Sequence, residues 1–198
     1  MTDRSAQFTG SIPAAYDRYL GPMLFEPYAA DLVARVAVPS KAAVLELACG
    51  TGILTQRLRR ALPVTVTLTA TDLNEPMVAY ARGKMPNAPV TWQQADAQQL
   101  PFPDGAFDAV ACQFGFMFVP DKAKAFGEVR RVLKPHGLLA FNVWLGLEEN
   151  SFGNTYVACF TGPQSGFGSF KGLVPLQNVA TGLTWGFGES LTRPGGTR

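Results

Sequence analysis

Gly50, Gly52 and Asp72 are the residues of this chain whose types and spacing specify chemistry most closely. The two glycines end the run Val-Leu-Glu-Leu-Ala-Cys-Gly-Thr-Gly at residues 44–52, and Asp72 lies 20 positions beyond the second of them. Glycines there let the backbone turn sharply with no Cβ between it and a ligand. A carboxylate about twenty residues further on, at the end of a second strand, is placed to accept hydrogen bonds from two ribose hydroxyls. The chemistry so specified is the capture of a nucleoside-containing cofactor at the carboxyl edge of a doubly wound sheet.

Such capture needs a strand, a turn and a helix in that order, and the flanking residues supply them. The apolar run Ala43 to Leu47 is too short for a helix and reads as a strand buried on both faces. Ile53 to Leu62 is amphipathic, with Ile53, Leu54, Leu58, Ala61 and Leu62 on one side and Gln56, Arg57, Arg59 and Arg60 on the other. The N–H groups of its first turn point back at whatever sits over the glycines. A second apolar run, Val64 to Ala70, ends at Thr71-Asp72. Further along, Asn74 to Lys84 reads as a helix with Asn74 as its cap, Val90 to Ala95 as strand three and Phe107 to Gln113 as strand four. Lys122 to Leu133 reads as a helix and Leu138 to Trp144 as strand five, while Tyr16 to Val36 is a helical stretch broken near Gly21-Pro22 and Pro27. This alternation predicts an α/β fold, a Rossmann-like doubly wound and mostly parallel sheet with right-handed crossovers.

Glycine spacing separates two cofactor classes. A nicotinamide dinucleotide takes Gly-x-Gly-x-x-Gly, whose third glycine lets helix and strand pack closely beside the pyrophosphate; here that place holds Thr55. Reframed, Ala48-Cys49-Gly50-Thr51-Gly52 is small-x-Gly-x-Gly, which suits a ligand with no pyrophosphate to cradle. This stretch resembles motif I of the class I S-adenosylmethionine-dependent methyltransferases. Gln94-Ala-Asp-Ala-Gln-Gln-Leu-Pro-Phe102 is similar to the family's third-strand segment, and Phe107-Asp-Ala-Val-Ala-Cys112 to its fourth strand. Glu128-Val-Arg-Arg-Val-Leu-Lys-Pro-His-Gly137 resembles the helix and turn before strand five, where the ubiquinone and menaquinone methyltransferase branch usually has Lys-Pro-Gly-Gly. Together these segments span roughly residues 40 to 145, in the family's order.

The resemblance implies S-adenosyl-L-methionine as cofactor and methyl transfer to an oxygen, carbon or nitrogen of a small-molecule acceptor. It implies that Asp72 takes the ribose, that Asp96 takes the exocyclic amine of adenine, and that the Ala97 N–H meets a ring nitrogen. Glu46 falls near the methionine end, directly or through water, or else organises the N–H groups of the loop. Gln113 offers its backbone carbonyl to the methionine ammonium. Ala48, Cys49, Thr51, Leu73, Met77 and Phe114 complete the implied cofactor-binding set with Gly50 and Gly52. In the family the segment before strand one covers the cofactor, which would bring Tyr16 and Tyr19 to it; the alternative is that these rings pack as an amphipathic stripe.

Composition bounds the rest. At 198 residues, 47% hydrophobic and 16% charged, the chain is long enough for one domain with a substantial core. The expected division is an N-terminal helical cap at 1–40, a cofactor-binding domain at 41–147 and a glycine-rich segment at 148–198. A net charge of +2 gives no electrostatic case for a nucleic-acid partner. Arg57, Arg59 and Arg60, with Arg130, Arg131 and Lys134, read as solvated helix faces. Cys49, Cys112 and Cys159 lack metal-ligand spacing, so no metal site is expected. The first residues lack the apolar core of a signal peptide, and no run approaches the ~20 apolar residues of a membrane span, so a cytoplasmic protein is expected.

Two residues that invite a catalytic reading are better placed elsewhere. His136, the one histidine, falls in the turn entering strand five, at the amino edge of the sheet and away from the glycine loop. Asp108 opens strand four at that same edge, where a structural hydrogen bond is the expected role. Methyl transfer asks mainly for alignment and exclusion of water, so these motifs leave the acceptor open. Phe114, Phe116 and Phe118 alternate after strand four and would line an apolar pocket for a lipophilic or aromatic acceptor, or else pack in the core.

The last quarter departs from the family pattern. Residues 151–198 hold ten of the 20 glycines and four charged residues, with no sustained periodicity. They predict loop, a truncated or frame-altered C-terminus without order, and a strand five left as an open edge. Two rival function classes follow: a non-catalytic cofactor-binding or interaction protein of the same fold, and a nicotinamide-dependent oxidoreductase, which Thr55 disfavours.

Overall fold

The computed structural model describes residue 14, residues 16–143 and residues 154–159. At its centre lies β1 (Ala43–Leu47), whose Val44, Leu45, Glu46 and Leu47 are all buried. Alternation sends Val44 and Glu46 to one face and Leu45 and Leu47 to the other. Parallel to β1 run β2 (Thr67–Asp72), β3 (Thr91–Gln94), β4 (Phe107–Gln113) and β5 (Leu133–Val143), and β6 (Asn154–Cys159) is antiparallel, in the order β3-β2-β1-β4-β5-β6. From β1 the chain builds outward to β2 and β3, then returns to lay β4 on the other side of β1. The carboxyl ends of β1 and β4 therefore flank the switch point, where sheets of this kind bind ligands.

A π-helical segment (Tyr16–Phe25), which contains Pro22, leads into α1 (Glu26–Arg35). It is followed by α2 (Ile53–Ala61), α3 (Glu75–Lys84) and α4 (Lys122–Val132). One core gathers Ala29 and Leu32 of α1, Leu54 and Leu58 of α2, and Val44, Leu68 and Ala109 of the sheet. The other packs Ala125, Val129 and Val132 of α4 against Leu45, Leu47, Val110 and Leu139. Each strand near the centre is thus covered on both faces, which is why β1 reads as a continuous apolar run.

Several boundaries differ from the expected ones. The run Val64 to Ala70 enters the sheet only at Thr67, because Val66 N–H donates to Pro63 O at 3.0 Å and closes a turn first. β5 begins at Leu133, which pairs with Phe107, whereas Leu138 pairs with Ala109. Residues 134–137 form an excursion between those pairs, with His136 at φ 63°. Asn74 stands before α3, but its side chain does not cap the helix. The helical stretch at the start is two pieces, with Pro27 tolerated in the first turn of α1, where an N–H has no helical partner to lose.

Strand five is not an edge: β6 pairs with it over six residues, Leu138↔Cys159 to Val143↔Asn154. The segment Asn-Thr-Tyr-Val-Ala-Cys is rich in β-branched and aromatic residues, a signal too short to stand out among the surrounding glycines. The expectation of loop from Pro163 to Arg198 lies outside the described residues.

The basic residues expected on solvated faces are mostly structural. Arg131 donates to Leu100 O at 2.9 Å and Phe102 O at 2.7 Å, and pairs with Asp104 and Glu128. It thereby holds the long β3–β4 connection against α4. Arg59 donates to Val66 O at 2.8 Å and Leu62 O at 3.0 Å, and Arg57 pairs with Glu26.

Candidate functional site

The glycine turn closes through Cys49 N–H donating to Thr71 O at 2.8 Å and Gly52 N–H to Cys49 O at 2.9 Å. Its two glycines do different work. Gly50 has φ 53°, and a Cβ built on it would project into open space, leaving the backbone accessible to a ligand. Gly52 has φ 81°, and a Cβ there would stand 3.0 Å from Ala81 Cβ and 3.2 Å from Met85 Cε. Gly52 therefore serves the packing of the loop on α3 and does not line the cleft, whereas Ala48, Cys49, Gly50 and Thr51 do.

Across the cleft, the carboxyl ends of β2 and β3 present two acids in the same local geometry. Asp72 Oδ1 accepts the Asn74 N–H at 2.9 Å and Oδ2 accepts the Gly50 N–H at 2.9 Å. Asp96 Oδ1 accepts the Gln98 N–H at 2.8 Å. Each is an Asx turn, in which the side chain bonds the backbone two residues on. The side-chain amides of Asn74, at 3.4 Å, and Gln98, at 3.3 Å, also donate to the respective Oδ1, so the lone pair left over on each acid is on Oδ2. Burial raises Asp72 above the ordinary carboxylate value, against the lowering by its bonds to Asn74 and Gly50. Leu73 and Met77 on one side and Ala97 on the other extend this wall.

Glu46 forms the floor. It is 1% exposed, and its Oε2 has no hydrogen-bond partner, nor has the neighbouring Thr55 Oγ1. Burial pushes the Glu46 carboxyl up to about 8, against the lowering by Thr55 and with the Asp72 charge adding to the rise. A buried carboxylate oxygen left without a partner is costly unless something polar docks on it.

The far wall comes from the end of β4. Gln113 donates through Nε2 to Phe25 O at 2.7 Å. Phe114 turns left-handed at φ 54°, with its N–H 3.1 Å from both Asn142 O and Asn142 Oδ1. Gly115 follows, and a Cβ there would lie 2.4 Å from Ala48 Cβ and 2.8 Å from Cys112 Sγ. Only glycine lets the β4 loop come this close to the β1 loop.

The alternating phenylalanines separate. Phe114 lines the cleft and meets Phe25 and Tyr28 edge-on, while Phe116 packs on the opposite core against Phe126 at 4.6 Å. Phe118, 49% exposed, joins Val119 and Pro120 at the rim. A 3-10 turn (Phe116–Phe118) replaces the strand-like alternation and causes the split.

Twelve of the thirteen residues expected at a cofactor site line this one cleft, Gly52 being the exception. Sequence reasoning missed Phe25, Ile53, Asn74, Gln98 and Gly115. Asp-x-Asn and Asp-x-Gln at strand ends were available as turn signals for two of them. Tyr19 is 67% exposed and lies outside the cleft lining, with Arg18 over its ring at 5.5 Å; the side chain of Tyr16 is outside the described residues. His136 is exposed in the excursion before Leu138. Asp108 accepts from the Ala43 N–H and from Lys134 Nζ, both at 2.8 Å, a structural junction at the amino edge.

The donor set discriminates between cofactors. The lining carries three carboxylates, Glu46, Asp72 and Asp96, and no lysine or arginine. Such a cleft attracts a ligand bearing cationic centres and repels a pyrophosphate. Thr55, at 0% exposure, fills the contact where a dinucleotide site would need its third glycine. The orphaned Glu46 oxygen and the open space above Gly50 fit S-adenosylmethionine, whose ammonium and sulfonium are cationic. Among the described residues no group of His, Cys, Asp and Glu could hold a metal ion, and no helix is long and apolar enough to cross a membrane.

Comparisons with known proteins agree with this chemistry. A family model described as a methyltransferase domain matches residues 45–141. The demethylmenaquinone methyltransferase of Thermus thermophilus is 42% identical over 119 residues, which are 59% of this chain and 54% of that protein. The ubiquinone/menaquinone biosynthesis C-methyltransferase of Psychromonas ingrahamii is 42% identical over 100 residues, 48% of this chain and 40% of that one. The chain therefore spans about half the length, or less, of these relatives. Among solved structures, a SAM-dependent methyltransferase from Aquifex aeolicus aligns with TM-score 0.60 and 25% identity, covering 70% of this chain and 74% of that one. With the acid-lined cleft at the switch point, these likenesses identify residues 45–141 as a methyltransferase domain of the class I S-adenosylmethionine-dependent kind, with S-adenosylmethionine as its cofactor.

Proposed function

We propose that the protein transfers the methyl group of S-adenosylmethionine to a small lipophilic acceptor with an aromatic nucleus, of the demethylated quinol type. The observation that carries this reading is the cleft itself, in which three carboxylates and an open glycine turn face an apolar rim. Asp72 accepts the ribose hydroxyls with the acceptor capacity left by Gly50 and Asn74. Asp96 accepts the adenine amine and Ala97 N–H donates to the ring. Glu46 and the Gln113 carbonyl hold the methionine end, and ionised Glu46 balances its positive charge.

The bound sulfonium supplies an already activated methyl group. The chain's part is to orient the acceptor and keep water out. Phe118, Val119 and Pro120, with Phe25 and Phe114 behind them, offer an apolar, aromatic surface on which a planar acceptor ring would stack. Two relatives support the quinone-type acceptor by their names, demethylmenaquinone methyltransferase and ubiquinone/menaquinone biosynthesis C-methyltransferase. A cytoplasmic location accords with two free, buried thiols, Cys49 and Cys112.

The test is formation of S-adenosylhomocysteine with demethylmenaquinol analogues against a panel of hydroxylated and amine acceptors. Turnover confined to aromatic lipophilic acceptors is expected. Cofactor binding with no turnover on any acceptor would replace this reading with that of a non-catalytic binding protein.

A further inference from the structure

The π-helical segment (Tyr16–Phe25) borders the cleft and is tied down along its length. At its end, Phe25 lines the cleft, its carbonyl accepts from Gln113 Nε2 at 2.7 Å, and its ring meets Phe114 edge-on at 5.9 Å. In its middle, Gly21 is buried, and a Cβ there would lie 3.2 Å from Ile53 Cδ1, so the backbone rests on the first residue of α2. Near its start stands Asp17, a residue no sequence motif singled out.

The Asp17 carboxylate gathers three donors from two other parts of the fold. Oδ1 accepts from Thr51 Oγ1 at 2.9 Å and from Lys84 Nζ at 2.7 Å. Oδ2 accepts from Lys84 Nζ at 2.8 Å and from the Tyr80 hydroxyl at 3.4 Å. Thr51 is 3% exposed and sits between the two glycines of the cofactor loop. Lys84 and Tyr80 belong to α3, against which Gly52 packs, and Lys84 Nζ also lies 5.8 Å from the Tyr80 ring centroid. Asp17 does not line the cleft.

We infer that Asp17 is a positioning residue for the cofactor: it latches the N-terminal segment to the glycine loop through Thr51 and to α3 through Lys84 and Tyr80. The loop is held in its ligand-accepting turn from above as well as from below. The latch preorganises the loop for its ligand, so losing it weakens affinity, and the loss falls on the dissociation rate, where most affinity differences between related complexes lie. Charge-assisted hydrogen bonds of this kind are the strong ones, and side chains only 21% and 28% exposed, as in this ion pair, are partly shielded from water. Burial and the adjacent Asp17 carboxylate hold the Tyr80 phenol above its ordinary value, which keeps it a donor.

The inference rests on S-adenosylmethionine binding at the glycine loop, and the test separates the two. In the full chain, dissociation and association rates of S-adenosylhomocysteine are measured for wild type, Asp17→Asn, Thr51→Val and the double variant, with amide exchange of residues 16–25 followed in the cofactor-free protein. Each single variant is expected to dissociate about tenfold faster, the scale of one hydrogen bond to a charged group. Association should stay within about twofold, and the double variant should dissociate no faster than the faster single, because both lose the same bond. Exchange across residues 16–25 should rise in Asp17→Asn. Faster exchange with an unchanged dissociation rate would show a purely structural ion pair and overturn the inference while leaving the cofactor site intact. A wild-type protein that does not bind S-adenosylhomocysteine would overturn both. Should Asp17→Asn fail to fold, Thr51→Val and Lys84→Met carry the measurement, and unchanged dissociation in both would refute the latch.

Discussion

Asp72 and Glu46 share one cleft, yet they meet a ligand from different starting points. Asp72 is already bonded to Gly50 and Asn74 at 2.9 Å each, so it offers an oriented carboxylate with acceptor capacity left on Oδ2. Asp72→Ala is expected to weaken S-adenosylhomocysteine binding by about 1.5–3 kcal/mol, the range for hydrogen bonds to a charged group. Calorimetric titration checks this, and full affinity in a folded variant would remove Asp72 from the site. Glu46 starts with an unpartnered oxygen and an acidity shifted from 4.5 to about 8. Between those values the folded chain keeps a proton that the unfolded chain releases, so stability of the cofactor-free protein falls as pH rises through that window. Asp72, also raised, contributes with the same sign. Glu46→Gln should flatten this slope and leave the protein on the order of 2 kcal/mol more stable than wild type at high pH. Urea titrations at the two ends of the window measure it; an unchanged slope would mean that Glu46 is ionised in the fold.

At the scale of elements, the loops after β1 and β4 must interlock for the cleft to exist. Gly115→Ala would press a methyl group to 2.4 Å from Ala48 Cβ. A separation that short forces one backbone away, with an expected destabilisation of about 1–3 kcal/mol and loss of cofactor affinity together. Thermal unfolding and titration of this variant check the pair of effects, and normal affinity would show that the loops move independently. The excursion before Leu138 behaves in the opposite way. His136 holds φ 63° in an exposed turn at the amino edge, a conformation that costs a side chain energy and glycine almost none. His136→Gly is expected to keep or raise stability, by up to about 1 kcal/mol, and to leave cofactor affinity unchanged. A large loss of binding would place the turn functionally next to the cleft.

At the scale of the molecule, the two cores meet on β1, which buries side chains in both and ends in the cofactor loop. Ligand bound at that loop therefore reinforces the strand on which both layers depend. S-adenosylhomocysteine at a hundred times its dissociation constant should stabilise the folded chain by about 2.7 kcal/mol, seen as a shift of one cooperative unfolding transition. Two transitions, with only one of them shifted, would show that the layers unfold separately. The β6 strand extends the sheet beyond β5, so that β5, whose Asn142 supports Phe114, is held by strands on both sides. Deleting that pairing would expose the edge of β5 and loosen the far wall of the cleft without touching the glycine loop.

Much of the site was legible because its determinants are short-range. The strand at Ala43–Leu47, the glycine turn and the amphipathic face of α2 each rest on neighbouring residues with a period of two or 3.6, and the acids Asp72 and Asp96 follow from where strands end. The fold class was legible at that level, and the cofactor was legible through the family resemblance that these segments carry. What only the tertiary structure decided involves partners far apart in the chain. Gly52 is a packing glycine because Ala81 and Met85 lie against it, and Gly115 because Ala48 does. Asp17 acquires its role through Thr51 and Lys84, and Arg131 through the carbonyls of Leu100 and Phe102. Phe116 and Phe118, alike in sequence, part company in a 3-10 turn that sends one to the core and one to the rim. In each case the residue type is uninformative alone, and the energy comes from a contact that exists only once the sheet has brought distant segments together.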